Sequence, residues 1–79
     1  MAIQQGDKGR RVTIDLTPAA AREVDRLKQI TGLSTADIFR HAITIFRIYV
    51  DAKKRGAEML IIDPGEEQTK TRLELPISV

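Results

Sequence analysis

The sequence predicts a mainly α fold with short β segments, in the order strand, helix, helix and β-hairpin, assembled as a homodimer. Residues 10–17 alternate between apolar and polar side chains, which is typical of a half-buried strand. Residues 18–31 and 35–55 follow helical periodicity, and the second of these segments is apolar around more of its circumference than one chain can cover. At 79 residues the chain is one domain at most, and a monomer of this size would be marginally stable.

The first element is the predicted strand at residues 10–17. Val12, Ile14 and Leu16 point to one face, and Arg11, Thr13 and Asp15 point to the other. No neighbouring segment is predicted to pair with it, because the next forty or so residues are helical. A strand without a partner leaves its backbone groups unpaired, so the sequence requires a partner strand from elsewhere.

The first helix is predicted from Pro18 to about Thr31. Thr17 is suited to cap its N-terminal amides, and Pro18 is suited to its first position. Gly32 fits the left-handed position just past the helix end. The apolar face of this helix consists of Ala20, Val24, Leu27 and Ile30.

The second helix is predicted from Thr35 to about Arg55, with Gly56 as its stop. Ser34 followed by Asp37 forms a capping-box pattern with Asp in place of the usual Glu. Its apolar positions form two adjacent stripes, which are Ile38, Ala42, Ile45, Tyr49 and Ala52, and then Phe39, Ile43, Phe46 and Val50, with Ile48 beside them. One helix of about 13 residues cannot cover this surface. A second copy of the chain could, which predicts an obligate dimer.

Residues 57–79 are predicted to form a β-hairpin extension. Met59–Ile62 is apolar, Asp63–Glu66 contains Pro and Gly at the central positions of a turn, and Thr69–Leu75 alternates again. The predicted loop has about six residues, and Pro76 ends the second strand. We expect this hairpin to cover exposed helix surface and to stabilise the dimer.

The charge distribution changes sign where the predicted hairpin begins, after residue 56. Residues 1–56 carry eleven Lys and Arg against six Asp and Glu, a net charge of +5, whereas residues 57–79 carry two against five, a net charge of −3. A basic body indicates a polyanionic partner, although ordinary surface charge explains it equally well. Residues 1–8 are expected to be a flexible arm. No signal peptide or membrane span is evident, and no cysteine is present, so we expect a cytoplasmic protein.

Enzymatic chemistry is not expected. Ser34, Asp37 and the only histidine, His41, superficially suggest a catalytic triad, but Ser34 and His41 would lie about 10 Å apart along one helix. Capping explains Ser34 and Asp37, and His41 is expected to be solvated. Asp37 and His41 alone are weak evidence for a metal site, and no Gly-rich phosphate loop is present. We therefore predict no catalytic residues, no metal and no cofactor.

Two motifs resemble the ribbon-helix-helix family of DNA-binding repressors, of the Arc, MetJ and CopG kind. They are Arg11-Val12-Thr13-Ile14-Asp15-Leu16-Thr17-Pro18 and Gly32-Leu33-Ser34-Thr35-Ala36-Asp37, and the CopG-like branch is the most similar. The resemblance covers residues 9–56 and implies an intertwined homodimer. In such a dimer two strands pair antiparallel and enter the major groove of double-stranded DNA. It thus implies a transcriptional regulator, most simply a repressor, and association of dimers on DNA is left open.

The resemblance also implies roles for individual residues. The residues expected to contact bases are Arg11, Thr13 and Asp15. Those expected to bind phosphates are Lys8, Arg10, Ser34, Thr35 and Ala36. The expected dimer core consists of Val12, Ile14, Leu16, Ile38, Phe39, Ala42, Ile45, Phe46 and Tyr49.

Two alternatives remain open. Asp15 departs from the family pattern, and it could accept a hydrogen bond from cytosine or, as we prefer, orient Arg11 of its own or the second chain. The second alternative concerns function. An antitoxin or adaptor would use residues 57–79 to bind a protein partner, because this acidic hairpin offers a strand edge.

Overall fold

The computed structural model describes residues 9–79 and divides the chain after Gly32 into two compact units. The first unit contains helix α1, Pro18–Thr31. The second contains helix α2, Thr35–Lys54, and the strands β1, Met59–Asp63, and β2, Thr69–Leu73. The predicted mainly α composition with a short antiparallel β-hairpin is confirmed. The predicted N-terminal arm, including Lys8, lies outside the described residues.

Both ends of α1 are formed as the sequence predicts. The side-chain oxygen of Thr17 accepts a hydrogen bond from the backbone N–H of Ala20 at 3.1 Å, and Pro18 occupies the first turn. At the other end Gly32 has φ 74°, and its N–H donates to the carbonyl of Lys28 at 2.8 Å. The left-handed conformation at Gly32 favours glycine because a Cβ there would be strained.

The ends of α2 also follow the prediction. The Ser34 hydroxyl accepts a hydrogen bond from the backbone N–H of Asp37 at 3.1 Å, which is half of the predicted capping box. The carboxylate of Asp37 is paired with the guanidinium of Arg40 one turn along the helix. At the C-terminus Arg55 caps the helix through its N–H, and Gly56 follows with φ 78°.

The hairpin is slightly shorter than predicted. β1 and β2 pair antiparallel with Met59 opposite Leu73 and Ile61 opposite Thr71, and residues 64–68 form a loop of five residues instead of six. The prediction that β2 extends to Leu75 is wrong. Glu74 and Leu75 leave the sheet because both bind α2, Glu74 through Lys53 and Leu75 through Tyr49.

Residues 10–17 form no strand within the single chain. A strand is stabilised by hydrogen bonds to a neighbouring strand, and the only sheet in residues 9–79 is the β1–β2 hairpin. The predicted partner of residues 10–17 belongs to a second chain. The two-stranded antiparallel ribbon that residues 10–17 of two chains would form therefore stays a prediction.

The hydrophobic core of the described chain is very small. Tyr49 and Ala52, on the C-terminal half of α2, are its fully buried hydrophobic side chains, 1% and 3% exposed. The chain that follows α2 folds back beside them, with the N–H of Ala57 donating to the carbonyl of Ala52 at 2.8 Å. Within residues 9–79, neither helix has the length and apolar character needed to cross a bilayer.

Candidate nucleic-acid interface

Every side chain in the segment 10–17 is exposed to solvent. The three apolar side chains expected to face a dimer core, Val12, Ile14 and Leu16, are 64%, 55% and 39% exposed. Arg10, Arg11, Thr13 and Asp15, the polar residues expected to contact DNA, are exposed as well. The segment thus presents both an apolar and a polar row that are exposed to solvent.

Arg10, Arg11 and Asp15 form no ion pair within residues 9–79. Pairing within one chain, one form of the predicted orienting role of Asp15, is therefore absent. Pairing between two chains remains a prediction.

The N-terminus of α2 presents two backbone amides without an intrahelical partner. The first amides of any helix lack such partners, and Ser34 satisfies that of Asp37. The amides of Thr35 and Ala36 are left, beside the exposed Ser34 hydroxyl and the positive end of the helix dipole. The carboxylate of Asp37 forms an ion pair with Arg40. This ion pair reduces the repulsion between Asp37 and an incoming anion. His41 is exposed, as predicted for a solvated side chain.

The apolar face of α2 is largely uncovered. Ile38 and Phe39 are half-buried, while Ala42, Ile45 and Phe46 are exposed. Tyr49 differs from the other residues predicted to form the dimer core, because its own chain already buries it. Its burial does not require a second copy.

Two further residues of α2 belong with this face. Ile43 is the most exposed large apolar side chain of the helix at 68%, and Ile48 is 41% exposed. Both lie on or beside the apolar stripes visible in the sequence, although neither was among the residues predicted for the dimer core. The stripe pattern therefore contained the signal that identifies them.

The hairpin is held to α2 by two contacts that are distant in sequence. The phenolic oxygen of Tyr49 accepts a hydrogen bond from the N–H of Leu75 at 2.9 Å, and Lys53 Nζ lies 2.9 Å from Glu74 Oε2. The hydrogen bond from Lys53 lowers the pKa of Glu74 below its ordinary value, and it raises the pKa of Lys53. These contacts make residues 57–79 part of the same folded unit as α2.

Arg72 links the two ends of the hairpin to each other. Its guanidinium lies 2.9 Å from the carboxylate of Glu58 and 3.6 Å from that of Glu74. The hydrogen bond to Glu58 raises the pKa of Arg72 further above its already high value. Three of the charged groups in the hairpin are therefore engaged with each other at its base.

In the described part of the chain, no three His, Cys, Asp or Glu side chains are grouped closely enough to hold a metal ion. The chemical groups that are available are exposed cations, hydroxyls and helix-terminal amides, and these bind anions. No family model matches the chain, and the searches of curated proteins and of solved structures also found no match.

Proposed function

We propose that this chain is a sequence-specific DNA-binding transcriptional regulator, acting as a ribbon-helix-helix homodimer and most simply as a repressor. In this proposal residues 10–17 of two chains pair antiparallel and enter the major groove. Val12, Ile14 and Leu16 then close the dimer core, and Arg11, Thr13 and Asp15 face the base edges.

The exposed segment 10–17 is the main support for the proposal. It has an alternating sequence, and its apolar side chains, which include Val12 at 64% exposure, are solvent-accessible in the single chain. Such a row is costly to leave in water, so a covering surface is expected. Once the apolar row is covered, Arg11, Thr13 and Asp15 form an outward row of hydrogen-bonding groups with no role in folding.

The second helix supports the same assembly independently. Ile43, Ile45, Phe46 and Ile48 are all at least 41% exposed although the hairpin is already folded against α2. The hairpin therefore does not satisfy the apolar surface of the helix. A second copy of α2 would bury these side chains, and the same copy would supply the missing strand.

Phosphate binding is assigned to two sets of groups. Lys8 and Arg10 flank the proposed ribbon, and the Ser34 hydroxyl with the amides of Thr35 and Ala36 opens α2. Backbone amides at a helix N-terminus bind phosphate oxygens well, because the dipole and the free N–H groups act together. Such contacts fix the position of a protein on DNA without selecting its sequence.

DNA binding is tested directly by fluorescence anisotropy with labelled fragments from the region around the gene. The double variant Arg11→Ala plus Thr13→Ala should weaken specific binding by at least about 30-fold, because loss of each good base contact costs about 1–3 kcal/mol. Binding by the unmodified chain should also fall steeply with salt concentration.

The matched control is Arg22→Ala, which removes the same charge from an exposed position on α1. It should leave sequence preference intact and change affinity only slightly. Sedimentation must show that both variants retain the dimer. The proposal is wrong if the intact dimer binds no fragment, or if the double variant and the control weaken binding equally.

The antitoxin or adaptor interpretation is the second candidate, and the folded state of the hairpin weighs against its usual form. An antitoxin tail that folds only on its toxin would be unstructured in the free protein, whereas residues 57–79 here bind α2 through Tyr49 and Lys53. Limited proteolysis distinguishes the two. Rapid cleavage within residues 57–79 of the free protein would favour the antitoxin interpretation, and resistance would oppose it.

A further inference from the structure

The two edges of the β1–β2 hairpin differ in chemistry. Within residues 9–79, the backbone of β1 forms hydrogen bonds only with β2, so its outer edge presents unpaired N–H and C=O groups. The same is true of the outer edge of β2. Exposed edges of this kind pair readily with another strand unless charged side chains protect them.

Charged side chains protect β2 but not β1. β2 has Lys70 and Arg72 on either side of its central residue, Thr71. β1 has one charged side chain, Asp63, at its last position, and its centre is Leu60, Ile61 and Ile62, each between 46% and 53% exposed. The unprotected edge is therefore also the apolar one.

We propose that the outer edge of β1 pairs antiparallel with β1 of a second copy of this chain, centred on Ile61. In that register Ile61 faces its own copy and Leu60 faces Ile62. The six side chains in these three cross-strand pairs are all apolar and suited to cross-strand contact. The product is a four-stranded sheet in the order β2-β1-β1-β2, with the charged strands outside.

The alternative pairings are disfavoured by charge or by symmetry. A β2–β2 contact centred on Thr71 would place Lys70 directly opposite Arg72, and like charges in that position are destabilising. A β1–β2 contact between copies does not close on itself, and it would leave the apolar edge exposed at one end. The two-fold β1–β1 contact places no like charges opposite each other, and it covers the apolar edge of both copies.

The limited contact between the hairpin and α2 gives a further reason for this pairing. A two-stranded hairpin is only marginally stable in water, and it needs further strands or packing against a helix for stability. The contacts of Tyr49 and Lys53 support the end of the hairpin near α2, but they do not reach the exposed side chains of β1. This inference does not depend on DNA binding.

A cysteine cross-linking experiment tests the pairing. The chain contains no cysteine, so Ile61→Cys and Thr71→Cys each introduce a single thiol. The two positions face each other across the hairpin. In the proposed sheet two copies of residue 61 lie about 5 Å apart, whereas two copies of residue 71 lie about 14 Å apart, three strand spacings.

A short bis-maleimide added to the full chain should therefore join Ile61→Cys chains efficiently, and it should join Thr71→Cys chains at least about fivefold less. Denaturing gels give the yields, and circular dichroism confirms that both variants are folded. Equal yields at the two positions, or no cross-link through residue 61, would overturn the proposal. The outer edge of β1 would then not pair with a second copy of this chain.

Hydrogen exchange provides a second measurement. Ile61→Lys places two ammonium groups opposite each other, so the β1 amides should exchange at least about tenfold faster. Thr71→Lys adds the same charge on the other strand and should leave β1 protection unchanged. An equimolar mixture of Ile61→Lys and Ile61→Glu chains should regain protection, because opposite charges then face each other. Absence of that recovery in folded chains would contradict the pairing.

Discussion

The hydroxyl of Tyr49, in the C-terminal half of α2, accepts a hydrogen bond from the backbone N–H of Leu75 at 2.9 Å. The two residues are 26 positions apart, and the bond joins the buried surface of the helix to the chain that leaves β2. It ends β2 at Leu73, because the next backbone groups turn from the sheet toward the helix. The hydroxyl of Tyr49 is thus one of the two contacts, with the Lys53–Glu74 ion pair, that hold the hairpin to α2.

Removing this hydroxyl with Tyr49→Phe should destabilise the docked hairpin by about 1 kcal/mol, because the part-buried amide of Leu75 loses its partner. Urea unfolding monitored by circular dichroism measures the loss. Tyr49→Ala is the companion variant, and it should cost about 3–5 kcal/mol because it also removes a buried ring. A Tyr49→Phe chain as stable as the original would show that the bond contributes nothing.

Local signals in the sequence predict most of the secondary structure. The helix caps are formed by Thr17, Gly32 and Ser34, which bind backbone groups within four residues of themselves. These caps can therefore be predicted without any tertiary information. The docking of the hairpin is different. The sequence around Tyr49 does not indicate that its hydroxyl binds Leu75. The alternation of residues 69–75 continues past the end of β2, because a side-chain pattern does not show which backbone groups are paired.

The candidate site follows the same division. Val12, Ile14 and Leu16 are exposed in the single chain, and their apolar row is visible in the sequence as a simple alternation. The partner of the row is not encoded in any local pattern. The wide apolar surface of α2 and the family resemblance predict that a second chain is this partner, and a measurement on two chains together tests the prediction.

The ion pair between Lys53 and Glu74 should make hairpin docking sensitive to acid. The folded chain lowers the pKa of Glu74, so the stabilisation is present above the ordinary pKa of a glutamate and is lost as the pH falls through the lowered value. Urea midpoints should therefore decrease between about pH 5 and pH 3.

The variant Glu74→Gln isolates this contribution. It should be less stable than the original chain at neutral pH, and the difference should shrink as the pH falls. Glu67→Gln is the control, since Glu67 lies in the hairpin loop and forms no ion pair in the described part of the chain. A constant difference between Glu74→Gln and the original chain at every pH would contradict the assignment.

The exposed apolar face of α2 should be essential for the proposed dimer. Phe46→Lys places a charge on this face, and burying an unpaired charge is strongly unfavourable, so dimer affinity should fall by at least about 30-fold, or about 2 kcal/mol. Sedimentation equilibrium measures the change. Thr44→Lys adds the same charge to an exposed position on the polar side of α2 and should leave the dimer intact. Equal effects of both variants would exclude this face as the interface.

Asp15 provides the sharpest test of how the proposed ribbon is organised. In an antiparallel pair centred on Thr13, Arg11 of one chain lies directly opposite Asp15 of the other, with Cβ atoms about 5 Å apart. A carboxylate in this position would hold the guanidinium toward a base. Asp15→Asn removes the charge, so it should reduce repulsion by phosphates while loosening Arg11.

The expected result for Asp15→Asn is therefore an opposite change in two affinities. Binding to random DNA should strengthen slightly because a negative charge is lost, whereas binding to the specific fragment should weaken by about tenfold because one base contact becomes less well ordered. Anisotropy titrations against both DNAs at the same salt concentration give the ratio. If both affinities rise together, Asp15 does not orient Arg11, and its carboxylate acts on DNA only through repulsion.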